Sequence, residues 1–219
     1  FKSFGMHSLY FPNHIFEAER VDGDLSPTSE KIWRTLGENE KFVSSIKIAM
    51  VGHILPNKRN DIAFNFIERQ SKLGNKYSLV VIGADPKKSR RTFRNRSFMN
   101  FSDEKSLHFV GKLRRDHVAQ LLAKMDILLH TSGREGSSFV VGEAISLGIP
   151  VVCFEGTGAA DIVRSVSKSG VIIPVSRNSL RNLSESIEEA VKLKSSPRNI
   201  WNNSRLESLI YKLNRRDYI

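Results

Sequence analysis

The feature that most constrains this chain is an alternation. Six short, nearly continuous apolar runs, at residues 46–51, 77–82, 107–110, 125–130, 150–154 and 170–173, are separated by segments in which apolar residues recur at helical spacing. The helical candidates are 60–73, part of 87–98, 115–123, 138–147, 159–166 and 179–193. A strand that is apolar on both sides must be covered on both sides, and strands separated by helices pair in parallel. Right-handed crossovers then wind the helices onto both faces. The expected fold is α/β: a doubly wound, Rossmann-like parallel sheet of about six strands, with its site outside the carboxyl ends of the strands.

Composition bounds the rest. At 219 residues and 40% apolar content the chain buries one core with an appendage. The regular pattern starts near residue 45. Residues 45–195 therefore read as the sheet domain, 196–219 as a helical tail rich in Arg and Asn, and 1–44 as an irregular lead whose polar stretch 21–40 reads as a linker. Trp33 and Trp201 lie outside the regular region and read as packing anchors. A single cysteine, Cys153, excludes an internal disulfide and reads as a small core side chain. No apolar run approaches the roughly 20 residues that span a bilayer. The net charge of +11 favours anionic partners. Its densest run, 87–96, reads first as a solvated face and second as a contact for polyphosphate or a peripheral membrane surface. Nucleic acid is not expected, because Phe93 and Phe98 beside that run form no recognised binding motif.

The residues able to hold a ligand fall at the ends of the strand candidates. Gly52 and His53 follow the first, with Pro56 and Lys58 before the next helix; Gly83 follows the second. Gly111-Lys112-Leu113 follows the third, where backbone groups suit the edge of a base, and Glu155-Gly156-Thr157-Gly158 follows the fifth. After the fourth comes Arg134-Glu135-Gly136-Ser137-Ser138-Phe139, a loop entering a helix that carries Glu143. A helix start offers unpaired N–H groups and a partial positive charge, which suit phosphate. Carboxylates repel phosphate but accept hydrogen bonds from hydroxyls. A diphosphate flanked by two sugars, a nucleotide-sugar, requires that combination. Each turn alone is weak evidence, and Lys58 alone is an ordinary surface lysine. His130 ends a buried strand and reads as a hydrogen-bonded core residue. The scattered histidines suggest no metal site.

These motifs, together with Val80-Val81-Ile82-Gly83, Phe109-Val110-Gly111, Met125-Asp126-Ile127-Leu128-Leu129-His130, Gly148-Ile149-Pro150-Val151-Val152 and Asp161-Ile162-Val163, agree in order and spacing with a known pattern. From Ile48 to about Leu193 the chain resembles the carboxyl-terminal, donor-binding domain of the retaining family-4 (group 1) glycosyltransferases, which join two Rossmann-like domains in the B-type arrangement. The resemblance implies that Glu135 touches the transferred sugar as the catalytic-site carboxylate and that Glu143 holds the ribose diol. It places the diphosphate on backbone N–H groups around Gly136, Ser137, Ser138 and Phe139, helped by Lys58, Gly52 and His53. It places the base near Gly111, Lys112 and Leu113. The donor would be a UDP or GDP sugar, with no metal or other cofactor required. The acceptor, a glycan or lipid-linked molecule, would reach the site through an amino-terminal domain of comparable size. Residues 1–44 would be the end of that domain and the linker. A chain starting at Phe1 then looks like an excised part, inactive in sugar transfer by itself. A cytoplasmic location, with peripheral contact at the inner face of the membrane, and a role in glycan or glycolipid assembly follow from the same resemblance.

Three positions depart from the family pattern. His53 stands where arginine is usual, and imidazole grips phosphate less firmly than guanidinium. Arg59 stands where glycine follows the lysine. Gly136-Ser137-Ser138 replaces Gly-Phe-Gly. His53 and the missing glycine pair are the arguments for the alternative, a noncatalytic nucleotide-binding or regulatory module of the same fold. A dehydrogenase or epimerase is a poorer reading, since Gly52-His53-Ile54-Leu55-Pro56-Asn57 lacks the Gly-x-Gly-x-x-Gly that would follow the first strand.

Overall fold

The computed structural model describes residues 24–83, 105–133, 138–174 and 182–195. Its strands are β1 Ile46–Val51, β2 Tyr77–Ile82, β3 Leu107–Gly111, β4 Ile127–His130, β5 Val151–Phe154 and β6 Gly170–Ile173. They form one six-stranded sheet in the order β3-β2-β1-β4-β5-β6, and every pairing is parallel. The expected doubly wound Rossmann-like sheet is therefore present. Chain order reverses between β1 and β4. A crevice opens outside the carboxyl ends of such strands, at the switch point.

The helices are α1 Pro27–Gly37, α2 Glu40–Val43, α3 Asn60–Lys72, α4 Arg115–Leu122, α5 Phe139–Ser146, α6 Gly158–Ser165 and α7 Leu183–Val191. Successive strand residues point to opposite faces, so the continuous apolar runs supply two cores. Ala49, Val80, Ile82, Leu128, Val151 and Cys153 pack with α1, α2, α4, α5 and α6. Ile48, Met50, Leu79, Val81, Ile127 and Val152 pack against Phe64 and Ile67 of α3 and Ile187 of α7. All the predicted strands and helices within the described residues form, with ends shifted by a few residues. The helix expected within 87–98, the tail 196–219 and Trp201 lie outside the described residues.

Among the described residues 24–40 of the stretch read as a linker, helix α1 forms. Ser26 caps α1, accepting from the Ser29 N–H at 3.3 Å, with Pro27 in the first turn. Leu36 is buried, and Trp33 packs edge-on against Phe42 with ring centroids 5.6 Å apart. Phe42 is 1% exposed, a burial that stabilises by about 2 kcal/mol. Residues 27–43 thus belong to the packed domain. The Ser-Pro start and the Ile32, Trp33, Leu36 spacing were the available signals for α1. The Asp, Ser and Pro content around them, typical of loops, outweighed that spacing.

Candidate functional site

Glycines close the ends of three adjacent strands. Gly52, Gly83 and Gly111 follow or end β1, β2 and β3 with φ of 125°, 99° and 75°. The Gly52 N–H donates to the Ile82 carbonyl at 2.8 Å, and the Gly83 N–H to the Gly111 carbonyl at 2.7 Å. A Cβ on Gly83 would sit 3.3 Å from the Gly52 carbonyl oxygen. Both the backbone torsion and this approach demand glycine. The result is a rim of bare backbone beside the switch point.

Beyond Gly52 the chain exposes His53, buries Ile54 and makes a single 3-10 turn over Pro56–Lys58. It enters α3 through Arg59, whose φ of 49° is left-handed. That torsion explains why glycine suits this position; Arg59 adopts it at a cost in backbone strain. Its Nε lies 3.6 Å from Asp61 Oδ1, a half-exposed pair that contributes little to stability. The loop after β4 is tied to this turn. Thr131 Oγ1 donates to the Lys58 carbonyl at 2.6 Å, and the Gly133 N–H donates to the Asn57 carbonyl at 3.0 Å. Two segments on either side of the switch point, with Thr131 and Lys58 73 residues apart, are thereby locked together.

The same loop leads into α5. Ser138 precedes the helix and is buried without a side-chain cap bond, while Phe139 is 46% exposed at its first position. The Val141 N–H donates to the Ser138 carbonyl at 3.2 Å, so among the described residues the Phe139 and Val140 N–H groups are the first-turn donors that this end offers to an anion. Glu135, Gly136 and Ser137 lie outside the described residues. Glu143 lies one turn further into α5 and is 8% exposed. A carboxylate so buried needs a compensating partner, and it has one that the sequence did not suggest. Arg115, at the start of α4, directs Nε and Nη2 onto a single oxygen, Glu143 Oε1, at 2.7 and 2.6 Å. Among the described residues Glu143 Oε2 accepts no hydrogen bond. Arg115 follows Gly111, Lys112 and Leu113; Lys112 is exposed and Leu113 packs on the core. A cation in the first turn of a helix opposes the helix dipole, and that mismatch was the signal available for Arg115. His130 is buried at the end of β4.

A cavity of about 480 Å³ lies at the opposite end of the central strands, lined among others by Ser45, Asn75, Tyr77, Asp126 and Glu188. It sits at the amino-terminal ends of the strands, where doubly wound folds do not bind their ligands. Asp126 there is already engaged by the Lys47 N–H and Lys194 Nζ. The crevice at the switch point is therefore the candidate site.

Residues 32–207 match the family described as glycosyl transferases group 1. The chain belongs to that family. No curated protein matches it. Among solved structures it is similar to WaaG, a glycosyltransferase involved in lipopolysaccharide biosynthesis, at 22% identity and a TM-score of 0.57, over 88% of this chain and 48% of that one. It is also similar to the trehalose-6-phosphate synthase OtsA, at 16% identity and TM-score 0.58, over 91% of this chain and 49% of that one. A third is Anabaena HepE in complex with UDP, at 16% identity and TM-score 0.58, over 86% and 53%. At these identities the likeness concerns the fold. The chain spans about half the length of the solved structures it matches.

Proposed function

We propose that this chain is the donor-binding part of a retaining glycosyltransferase, which moves a hexosyl group from a nucleoside-diphosphate donor to an acceptor. The observation that carries the reading is Glu143: a buried carboxylate on the helix entered from the switch-point loop, in a chain of the group 1 family. In this reading Glu143 accepts from ribose hydroxyls and the α5 amino-terminus takes the diphosphate. Lys58 adds charge, and backbone at Gly111 to Leu113 meets the base. Glu135, outside the described residues, faces the transferred sugar. UDP is the favoured donor nucleotide, supported by the solved HepE complexes with UDP and UDP-glucose.

The reaction breaks the bond from the anomeric carbon to the donor phosphate, and the acceptor hydroxyl arrives on the same face. Charge grows on the leaving diphosphate as an oxocarbenium-like sugar develops. Preorganised N–H groups and Lys58 would stabilise that charge without reorganising. The acceptor, a glycan or lipid-linked molecule, would come through an amino-terminal domain facing the exposed Leu55 and Phe139. A cytoplasmic site with peripheral membrane contact fits such an acceptor. No helix among the described residues is long and apolar enough to cross a membrane.

Calorimetric titration of the chain with UDP, GDP and ADP tests this reading. Binding should weaken by about 10-fold or more in Glu143→Ala and in Lys58→Ala, consistent with loss of a charge-assisted hydrogen bond. No detectable binding of any nucleotide, or no effect of either substitution, would remove the donor-site assignment. Binding in this chain without transfer activity in a full-length protein would instead favour a noncatalytic nucleotide-binding or regulatory module.

A further inference from the structure

Glu143 is not held the way a simple two-oxygen clamp would be. Arg115 Nε donates to Oε1 at 2.7 Å and Nη2 lies 2.6 Å from the same oxygen in the ion pair, leaving Oε2 without a hydrogen bond among the described residues. The carboxylate belongs to α5, entered from the β4 loop; the guanidinium belongs to α4, entered from the β3 loop that carries Gly111-Lys112-Leu113. The Glu143 side chain is 11% exposed and that of Arg115 is 56% exposed. A buried carboxylate is therefore pinned by a partner that reaches it from the cleft surface.

We propose that Arg115 is a positioning residue for donor binding, fixing Glu143 so that it accepts chiefly one ribose hydroxyl, through Oε2. The proposal rests on the assignment of Glu143 to the ribose. A hydrogen bond and an ion-pair contact on one oxygen restrict both the rotation and the lateral freedom of the carboxylate. They also satisfy Oε1, which reduces its capacity for a second ribose hydroxyl. The ribose contact is then asymmetric between the 2′- and 3′-hydroxyls. Because Arg115 lies four residues beyond Gly111, the same contact couples the ribose subsite to the segment expected at the base. Arg115 itself need not touch the nucleotide.

The test compares UDP with 2′-deoxy-UDP and 3′-deoxy-UDP by titration calorimetry, in wild type, Glu143→Ala, Arg115→Ala, Arg115→Gln, Arg115→Lys and the double variant Arg115→Ala/Glu143→Ala. Thermal melting establishes that each is folded. Wild type should lose about 10-fold in affinity with one deoxynucleotide and under about 3-fold with the other, as expected for one hydrogen bond to a charged group. Arg115→Ala and Arg115→Gln should weaken UDP binding by about 10-fold and shrink that discrimination to under about 3-fold. Arg115→Lys, which keeps the charge, should restore at least part of both. The double variant should bind no more weakly than Glu143→Ala.

Equal weakening of UDP and both deoxynucleotides by Arg115→Ala, full additivity with Glu143→Ala, or unchanged UDP affinity would each overturn the role of Arg115. In those cases a loss in Glu143→Ala leaves the ribose assignment standing. Unchanged affinity in Glu143→Ala would remove the ribose assignment and the Arg115 proposal with it. If Arg115→Ala does not fold, Arg115→Gln and Arg115→Lys decide by the same criteria.

Discussion

Cys153 on β5 is fully buried, and burial pushes its thiol up to about 12 from an ordinary value of 9.0. Only the thiolate attacks an alkylating reagent. Native protein at pH 8 should therefore react slowly with iodoacetamide, and denatured protein quickly; mass spectrometry of the single-cysteine chain reads the extent directly. Rapid native labelling would contradict the packing assigned to β5. The sign of the linkage follows from the raised value. The stability associated with this group is fully present below about pH 9 and is lost as pH rises toward 12, because only the unfolded chain releases the proton in that window. Gly83 gives a second residue-level test. With φ of +99° and Gly52 backbone 3.3 Å from where a methyl would stand, Gly83→Ala should destabilise by about 1–3 kcal/mol, read as a lowered urea midpoint. An unchanged midpoint would mean that the strand ends do not approach as described.

At the scale of elements, α2 shows how a four-residue helix is held. Asn39 Oδ1 accepts from the N–H groups of Lys41 and Phe42 at 3.0 and 3.3 Å, while Nδ2 donates to the Lys105 carbonyl at 3.0 Å. Asn39→Ala should cost about 1–2 kcal/mol, the upper part of the range for a lost helix cap, with Asn39→Asp in between because it keeps only the cap. Equal stability of Asn39→Asp and wild type in urea unfolding would mean that the Lys105 contact contributes nothing. The sheet elements were legible because a strand buried on both faces writes a continuous apolar run, as in Leu79 to Ile82. Helix α1 was less legible, since its buried face is limited to residues such as Ser29 and Leu36 and its flanks are polar. The turn residues Gly52, Gly83 and Gly111 could be read from position alone. For Arg115 the first-turn position marked a mismatch but not its partner, which lies 28 residues away on another helix and is brought to it only by the fold.

At the scale of the molecule, the order β3-β2-β1-β4-β5-β6 determines which loops are neighbours. It places the β1 turn against the β4 loop through Thr131 and Lys58, and the β3 side against α5 through Arg115 and Glu143. Both contacts lie at the carboxyl ends of the strands, whereas the cavity beside Tyr77 lies at the amino ends. Whether a nucleotide occupies the switch-point side is therefore a question with two spatially separate answers. Backbone amide NMR spectra recorded during a UDP titration address it most directly. The proposed function predicts saturable shifts at Gly52, Gly111, Lys112, Ser138 and Phe139, with Asn75 and Tyr77 unmoved. Shifts confined to Asn75, Lys76 and Tyr77, or no saturable shift at any site, would contradict it.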